Sequence, residues 1–133
     1  MGKKKIVIDT NNLISALGWE GNSRDLLIRV INKEYEFIIS IKQIEELKRV
    51  LDYPKFGFSK EQKRKFLEVI FEIANVIDTK LKLNVTDDEK DNMLLECAIE
   101  GEADYIISGD NDLLRLKKFR NARIVSVKEF LGK

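Results

Sequence analysis

Lys5-Ile6-Val7-Ile8-Asp9 sets three β-branched residues in a row between a lysine and an acid. A run of this kind, with no polar residue alternating through it, suits a strand buried on both faces, as in the middle of a parallel sheet. Thr10 to Leu17 reads as a short helix, so Asp9 falls at a strand-to-helix turn. The same grammar recurs outward from it. Ser23 is positioned to cap a helix carrying Leu26, Leu27, Val30 and Ile31. Phe37-Ile38-Ile39 is a second apolar run, and Ser40 caps the helix after it, in which Ile41, Ile44, Leu47 and Leu51 form one stripe until Pro54. Ser59 and Gln62 make a capping box ahead of Phe66, Leu67, Ile70, Phe71 and Ala74. Val76-Ile77 reads as a third strand and Leu81 to Thr86 as loop. Asp87 and Asp88 open a helix through Leu94, Leu95, Ala98 and Ile99 that Gly101 closes. Tyr105-Ile106-Ile107 is a further buried strand, followed by Ser108-Gly109-Asp110 and a short helix around Leu113 to Leu116, and Arg123 to Ser126 is the last strand. Short apolar strands alternating with helices predict an α/β chain, a parallel sheet covered on both faces, in one domain over residues 1–133.

Composition narrows the chemistry. The chain has 133 residues, 44% hydrophobic and 35% charged, a balance that fits a globular fold and not a disordered one. Lys+Arg of 24 against Asp+Glu of 23 leaves a net charge of +1, so contact with a polyanion has to be local. A single cysteine, Cys97, excludes an intrachain disulfide and a thiolate-only metal site. The absence of histidine excludes Ser-His-Asp and Cys-His catalysis and imidazole-dependent zinc sites. No apolar run approaches the ~20 residues that cross a bilayer, and no signal-peptide core follows Met1, so the expectation is a cytoplasmic protein without membrane contact.

Acidic residues carry the remaining signal. Sites in open parallel sheets lie beyond the carboxyl ends of the strands. The first strand delivers Asp9 there, and Tyr105-Ile106-Ile107 delivers Ser108, Asp110 and Asp112. A strand-end Asp also serves as a helix cap, and for either residue alone that reading is as good. Asp91 is different: Leu94, Leu95 and Ala98 follow it by three, four and seven positions, which puts its carboxylate in line with the buried stripe. Glu46 borders the stripe of its helix one turn before Val50, where a solvated margin is the ordinary place for it. Convergence of these acids would raise their pKa values or demand a counter-charge. Carboxylate and hydroxyl oxygens without imidazole or thiolate suit Mg²⁺ or Mn²⁺, ions that polarise phosphoryl oxygens and activate water, which points to phosphodiester hydrolysis.

Asp9-Thr10-Asn11 after the first strand, Glu46-Leu47 in the third helix, Asp91 with the later Leu95-Glu96-Cys97-Ala98, and Ser108-Gly109-Asp110-Asn111-Asp112-Leu113 occur in an order and at intervals that resemble the PIN-domain nucleases. Within that family the chain is most similar to the VapC-like toxin ribonucleases of prokaryotic toxin–antitoxin pairs. The resemblance implies a three-layer α/β/α sandwich with a central parallel sheet of about five strands in the order 3-2-1-4-5. It implies Asp9, Glu46, Asp91 and Asp110 as catalytic metal ligands for Mg²⁺ or Mn²⁺, with Asn11, Ser108 and Asp112 supporting; Asp110 and Asp112 are both candidates for the fourth ligand. It further implies an RNA substrate, a small antitoxin that covers the acidic cleft with a basic side chain, and a homo-oligomer that leaves the cleft open. Other readings of the residues are an aspartyl-phosphate phosphatase of the haloacid-dehalogenase type with Asp9 as nucleophile, and a receiver-like or catalytically silent PIN-like binding module. The phosphatase wants a second acid where Asn11 stands, and the receiver wants a Lys where Ser126-Val127 stands. The basic runs Lys3 to Lys5 and Lys117, Lys118 and Arg120 read as solvated surface. Trp19, Tyr53, Phe56 and Phe58 lie in loops that either stack a base or fold onto the core.

Overall fold

Ile6-Val7-Ile8 forms the body of strand β1 (Lys5–Ile8), and from Ile6 onward every side chain is buried. In the computed structural model, which describes residues 2–133, β1 lies between two parallel neighbours, β2 (Glu36–Ser40) and β4 (Tyr105–Ile107). Strand β3 (Ala74–Ile77) pairs in parallel outside β2, and β6 (Ala122–Val125) pairs in parallel outside β4. The sheet order is β3-β2-β1-β4-β6-β5, so the parallel part has the topology the sequence predicts, with β6 as its fifth strand.

The sixth strand is an addition. Strand β5 (Lys118–Phe119) pairs antiparallel with β6 through a turn at Arg120, whose φ of 52° lies in the left-handed region. A strand of two residues has too little length for periodicity to announce it. For the same reason the terminal helix α7 (Val127–Phe130), capped by Ser126, escapes a reading of the sequence.

Alternate residues of β1 feed two cores, as the pleat requires. Ile6 and Ile8, with Phe37 and Ile39 of β2, pack against helices α1 (Thr10–Gly18), α2 (Asn22–Ile31), α3 (Ile41–Leu51) and α4 (Lys60–Ile73). Val7, Ile38 and Ile106 face the other way, onto α5 (Glu89–Glu100) through Leu94, Leu95, Cys97 and Ala98, and near α6 (Asn111–Leu114) through Leu113. Helix, sheet and helix thus make three layers. Among the described residues no helix is long and apolar enough to cross a membrane.

Most helix starts follow the local rules. Ser40 accepts the Gln43 N–H at 3.1 Å, and Ser59 with Gln62 forms the reciprocal capping box. The exception is Ser23. Helix α2 begins one residue earlier behind Gly21, whose φ of 148° is a conformation that side chains with a Cβ rarely adopt, and no side chain caps it. The Ser23 hydroxyl donates instead to Asn12 Oδ1 at 3.0 Å, tying α2 to α1.

Gly101 closes α5 where the helix presses on the sheet. A Cβ there would stand 2.8 Å from Ile38 Cγ2 and 3.0 Å from the Cys97 carbonyl oxygen. Gly101 is in ordinary right-handed geometry, so its value is space alone. Gly101→Ala should therefore destabilise the fold by roughly 1–3 kcal/mol, the usual range for overpacking, despite alanine's better helix propensity. Urea denaturation of the two proteins measures it, and an unchanged midpoint would mean that α5 can slide off Ile38 at no cost.

Candidate metal centre

The amino ends of α1, α5 and α6 meet the carboxyl ends of β1 and β4, and each helix begins on an aspartate. Asp9 caps α1: its Oδ1 accepts the Asn12 N–H at 2.8 Å. Its other oxygen accepts the Ser108 hydroxyl at 2.8 Å and the Gly109 N–H at 3.2 Å, across the β1–β4 seam. Asp9 is therefore a helix cap, one of the two readings of a strand-end Asp, and at the same time a bridge from β1 to the end of β4. Burial raises the Asp9 pKa above its ordinary value, while the donors from Asn12, Ser108 and Gly109 pull it back. Ser108 is wholly buried, and its Oγ also accepts the Asp110 N–H at 3.0 Å, so one hydroxyl couples both strand ends. Asp110 caps α6 by accepting the Asp112 N–H at 2.8 Å.

Asp91 lies in the first turn of α5 and is 4% exposed. One of its oxygens, Oδ2, is buried with no hydrogen-bond partner among the described residues. Its pKa is pushed up to about 7, first by desolvation, then by Asp110, and then by the charges of Asp88 and Asp112. One carboxylate oxygen from each of Asp88, Asp91 and Asp110 lies within 4.8 Å of the others. Asp88 doubles as the cap of α5, accepting the Lys90 N–H at 2.9 Å.

Glu46 reaches the cleft from the middle of a helix. It is 5% exposed, not a solvated margin, and it accepts a hydrogen bond from the Thr10 hydroxyl. One turn earlier the Gln43 side-chain amide donates to the Ile8 carbonyl at 2.7 Å, which pins α3 to the end of β1 and sets where Glu46 points. Asp9, Asn11, Glu46, Asp88, Asp91 and Asp110 line one cleft of about 150 Å³, with Lys90 at its side. None of the five acids is ion-paired to Lys or Arg among the described residues.

Of the residues singled out in the sequence, the fold gathers Asp9, Asn11, Glu46, Asp91 and Asp110 around this cleft and sets Ser108 beneath them. Asp112 is exposed and its carboxylate is taken by Arg115 at 2.6 Å, so between the two candidates for the fourth position it is Asp110 that faces the cleft. Asp88, read from sequence only as a first-turn acid, belongs to the tightest group. Its spacing of three from Asp91, on one helix face, was the available signal. Thr10 and Lys90 carry no such signal.

The PIN domain family model matches residues 5–112, a span that contains every residue of the cleft. The chain belongs to the PIN domain family. PIN domains are nucleases, which supports a hydrolase activity for this chain. Among solved structures, one chain of VapBC2 from Rickettsia felis, crystallised bound to a DNA fragment from its promoter, superimposes with a TM-score of 0.63. The match covers 90% of this PIN domain chain and 96% of that chain at 17% identity, a likeness of fold. A search of curated proteins finds no match.

Asp91 makes the metal-free PIN domain sensitive to pH in a definite direction. Its folded pKa of about 7 lies above the ordinary 3.8, so between those values the folded state holds a proton that the unfolded state has released. The contribution of this group to stability is full below about pH 4 and is lost as pH rises toward 7. In the presence of a chelator, Asp91→Asn should be more stable than the parent at pH 8 by more than ~1.4 kcal/mol, the worth of one pKa unit. The gap should close near pH 4, where the parent carboxyl is protonated. Urea melts at both pH values measure it; a gap independent of pH would contradict the assignment of the proton to Asp91.

Proposed function

We propose that this PIN domain is a metal-dependent endoribonuclease, the toxin of a toxin–antitoxin pair, acting in the cytoplasm. The observation that carries the reading is the unpartnered buried oxygen of Asp91 within a group of carboxylates that, among the described residues, forms no ion pair with Lys or Arg. A donor set of this kind fits a hard divalent cation. All the donors are oxygens, there is no histidine, and Cys97 is buried in the core with its thiol pushed up to about 12, so Mg²⁺ or Mn²⁺ suits the site better than zinc. Asp88, Asp91 and Asp110 would hold the ion, with Asp9 and Glu46 on the adjoining wall. When bound, the ion supplies Lewis acidity toward a phosphoryl oxygen and toward water.

The chain's own residues supply orientation. Ser108 and Gly109 donate to Asp9 and hold its carboxyl group toward the cleft, and Thr10 holds Glu46 at the other side. Asn11 lines the mouth, and Lys90 is the cation available to a phosphate oxygen. The imidazole pair that serves a 2′-hydroxyl attack is missing from the chain. Water is then the nucleophile: its oxygen bonds to phosphorus, the bond from phosphorus to the 3′-oxygen breaks, and a proton passes to that oxygen. The products are a 5′-phosphate and a free 3′-hydroxyl.

The fold shared with a VapBC2 chain supports a second protein, a small antitoxin, as partner; in this reading the antitoxin sets a basic side chain among the acids, and an oligomer leaves the cleft accessible. Membership of the PIN domain family leaves the phosphatase and receiver readings without support.

Asp9→Asn and Asp91→Asn should each lose at least ~100-fold in Mn²⁺-dependent RNA cleavage while keeping a cooperative thermal melt, because a carboxylate lost from the ion's ligands or from the wall beside it removes several kcal/mol of transition-state stabilisation. Full activity in Asp9→Asn would remove it from the catalytic set. Mass spectrometry of the products should find 5′-phosphate ends, and a metal-dependent 2′,3′-cyclic phosphate would rule out water as nucleophile. Mn²⁺ at ~100 times its dissociation constant should stabilise the parent by ~2.7 kcal/mol. Removal of Asp9, Glu46, Asp91 and Asp110 together should erase that shift in differential scanning calorimetry.

A further inference from the structure

Beside the acidic cleft runs a second, larger hollow of about 570 Å³, between α3, the amino half of α5 and the segment that leads into α5. The two share Glu46, Asp88 and Lys90, so they adjoin. Lys42, Glu46 and Arg49 recur at positions four and three apart on one face of α3, and this face forms one wall over roughly 10 Å at 1.5 Å per residue.

The opposite wall is built rather than loose. Asn92 Oδ1 accepts the Val85 and Thr86 N–H groups at 3.0 and 2.9 Å, and Glu96 Oε2 accepts the Leu83 N–H at 2.9 Å. Glu100 accepts the N–H groups of Lys80 and Leu81 at 2.7 and 2.8 Å. These side chains of α5 seat the incoming segment and hold Lys82 at the rim.

The charges in this hollow are divided by occupation. Glu96 is spent on Lys42 at 3.3 Å and on Leu83, Glu46 on Thr10, and Asp88 on the α5 cap and the acidic group. Arg49, Lys82 and Lys90 are exposed and have no acidic partner among the described residues, and the one acid left unengaged is Glu89. Free cations therefore stand along a hollow that ends at the carboxylates, in a chain whose net charge is only +1.

We infer that this hollow is the track for the sugar–phosphate backbone of a single-stranded polynucleotide on one side of the scissile linkage, with Arg49 and Lys82 binding flanking phosphates and Lys90 standing at the junction with the acids. The inference rests on the nuclease reading and extends it from the cut bond to the strand that carries it. Phosphate contacts position a strand without reading its sequence, and they make its affinity salt-dependent.

The test uses the full chain in chelator and a fluorescein-labelled single-stranded RNA of mixed sequence, with anisotropy read from 50 to 200 mM salt. Each phosphate neutralised on a single strand contributes about 0.7 to the slope of log affinity against log salt. Arg49→Gln with Lys82→Gln should lower that slope by ~1.4, because two phosphates are left without their cations. Lys3→Gln with Lys33→Gln removes the same charge at the amino ends of the strands and should leave the slope unchanged. Glu89→Gln should tighten binding. In Mn²⁺, the Arg49/Lys82 double variant should raise KM for a long RNA at least tenfold with kcat within about threefold. Equal slope losses in both double variants would overturn the track in favour of diffuse charge. So would a parental slope and KM in the Arg49/Lys82 variant while the parent cleaves RNA. Absence of cleavage in the metal-loaded parent would instead strike the nuclease reading, and a slope loss confined to the Arg49/Lys82 variant would still locate the strand. Equal affinity for the duplex of the same sequence would overturn the single-stranded claim.

Discussion

Like-charge repulsion around the Asp91 carboxylate is the constraint on which the carboxyl end of the sheet is organised. Asp88, Asp91 and Asp110 are brought within a few ångströms of one another with, among the described residues, no lysine or arginine paired to them. An arrangement of this kind costs stability unless a cation enters or a proton stays. The fold meets the cost from elsewhere, with two apolar cores on the faces of a sheet whose central strand is buried throughout its apolar length.

The way the acids are held explains why they stay pointed at one another. Asp9, Asp88 and Asp110 each accept a backbone N–H at the start of a helix, so their orientation is a by-product of capping. Helix starts and strand ends coincide by construction in a parallel α/β sheet, and three caps on neighbouring connections therefore become one acidic cleft. Glu46 arrives by another route, from mid-helix, and needs two devices of its own: Gln43 on the Ile8 carbonyl and Thr10 on the carboxylate. Asp91 is the member left unengaged at one oxygen, which makes it the point where an entering cation gains most.

Near-neutral overall charge conceals a spatial sorting. Buried acids on the floor of the α3–α5 hollow are engaged by the protein itself, while exposed cations at its rim are not. One of these acids also does structural work: Glu96, with Asn92 and with the exposed Glu100 further along α5, seats the segment before α5 and with it the amino end of the helix that carries Asp88 and Asp91. One helix, α5, thus carries a wall of this hollow and two of the clustered aspartates, and Gly101 allows it to lie hard against Ile38.

Much of this was legible in the chain alone. Local patterns state local facts: Ile6-Val7-Ile8 has to be buried on both sides, Ile44 and Leu47 have to share a face, Ser59 and Gln62 have to cap, and a chain without histidine has no imidazole to offer. Asp91 in an apolar stripe was conspicuous because a charge there breaks a period of 3.6. What only the tertiary structure decided are the pairings between distant segments. Thr10 meets Glu46 across 36 positions and Ser108 meets Asp9 across 99, separations over which propensity and periodicity carry no information. Glu46 turned inward because Gln43 fixes α3 to β1. Asp112 turned away because Arg115 was within reach, and Asp88 joined Asp91 and Asp110 because α5 docks with its first turn against the β4 end. Strand β5 and helix α7 are too short to carry a period, and Gly21 displaced Ser23 as the start of α2 because a positive φ, not a hydroxyl, set that turn. The order of the elements is written in local sequence, whereas the meeting of the acids is a property of how those elements pack.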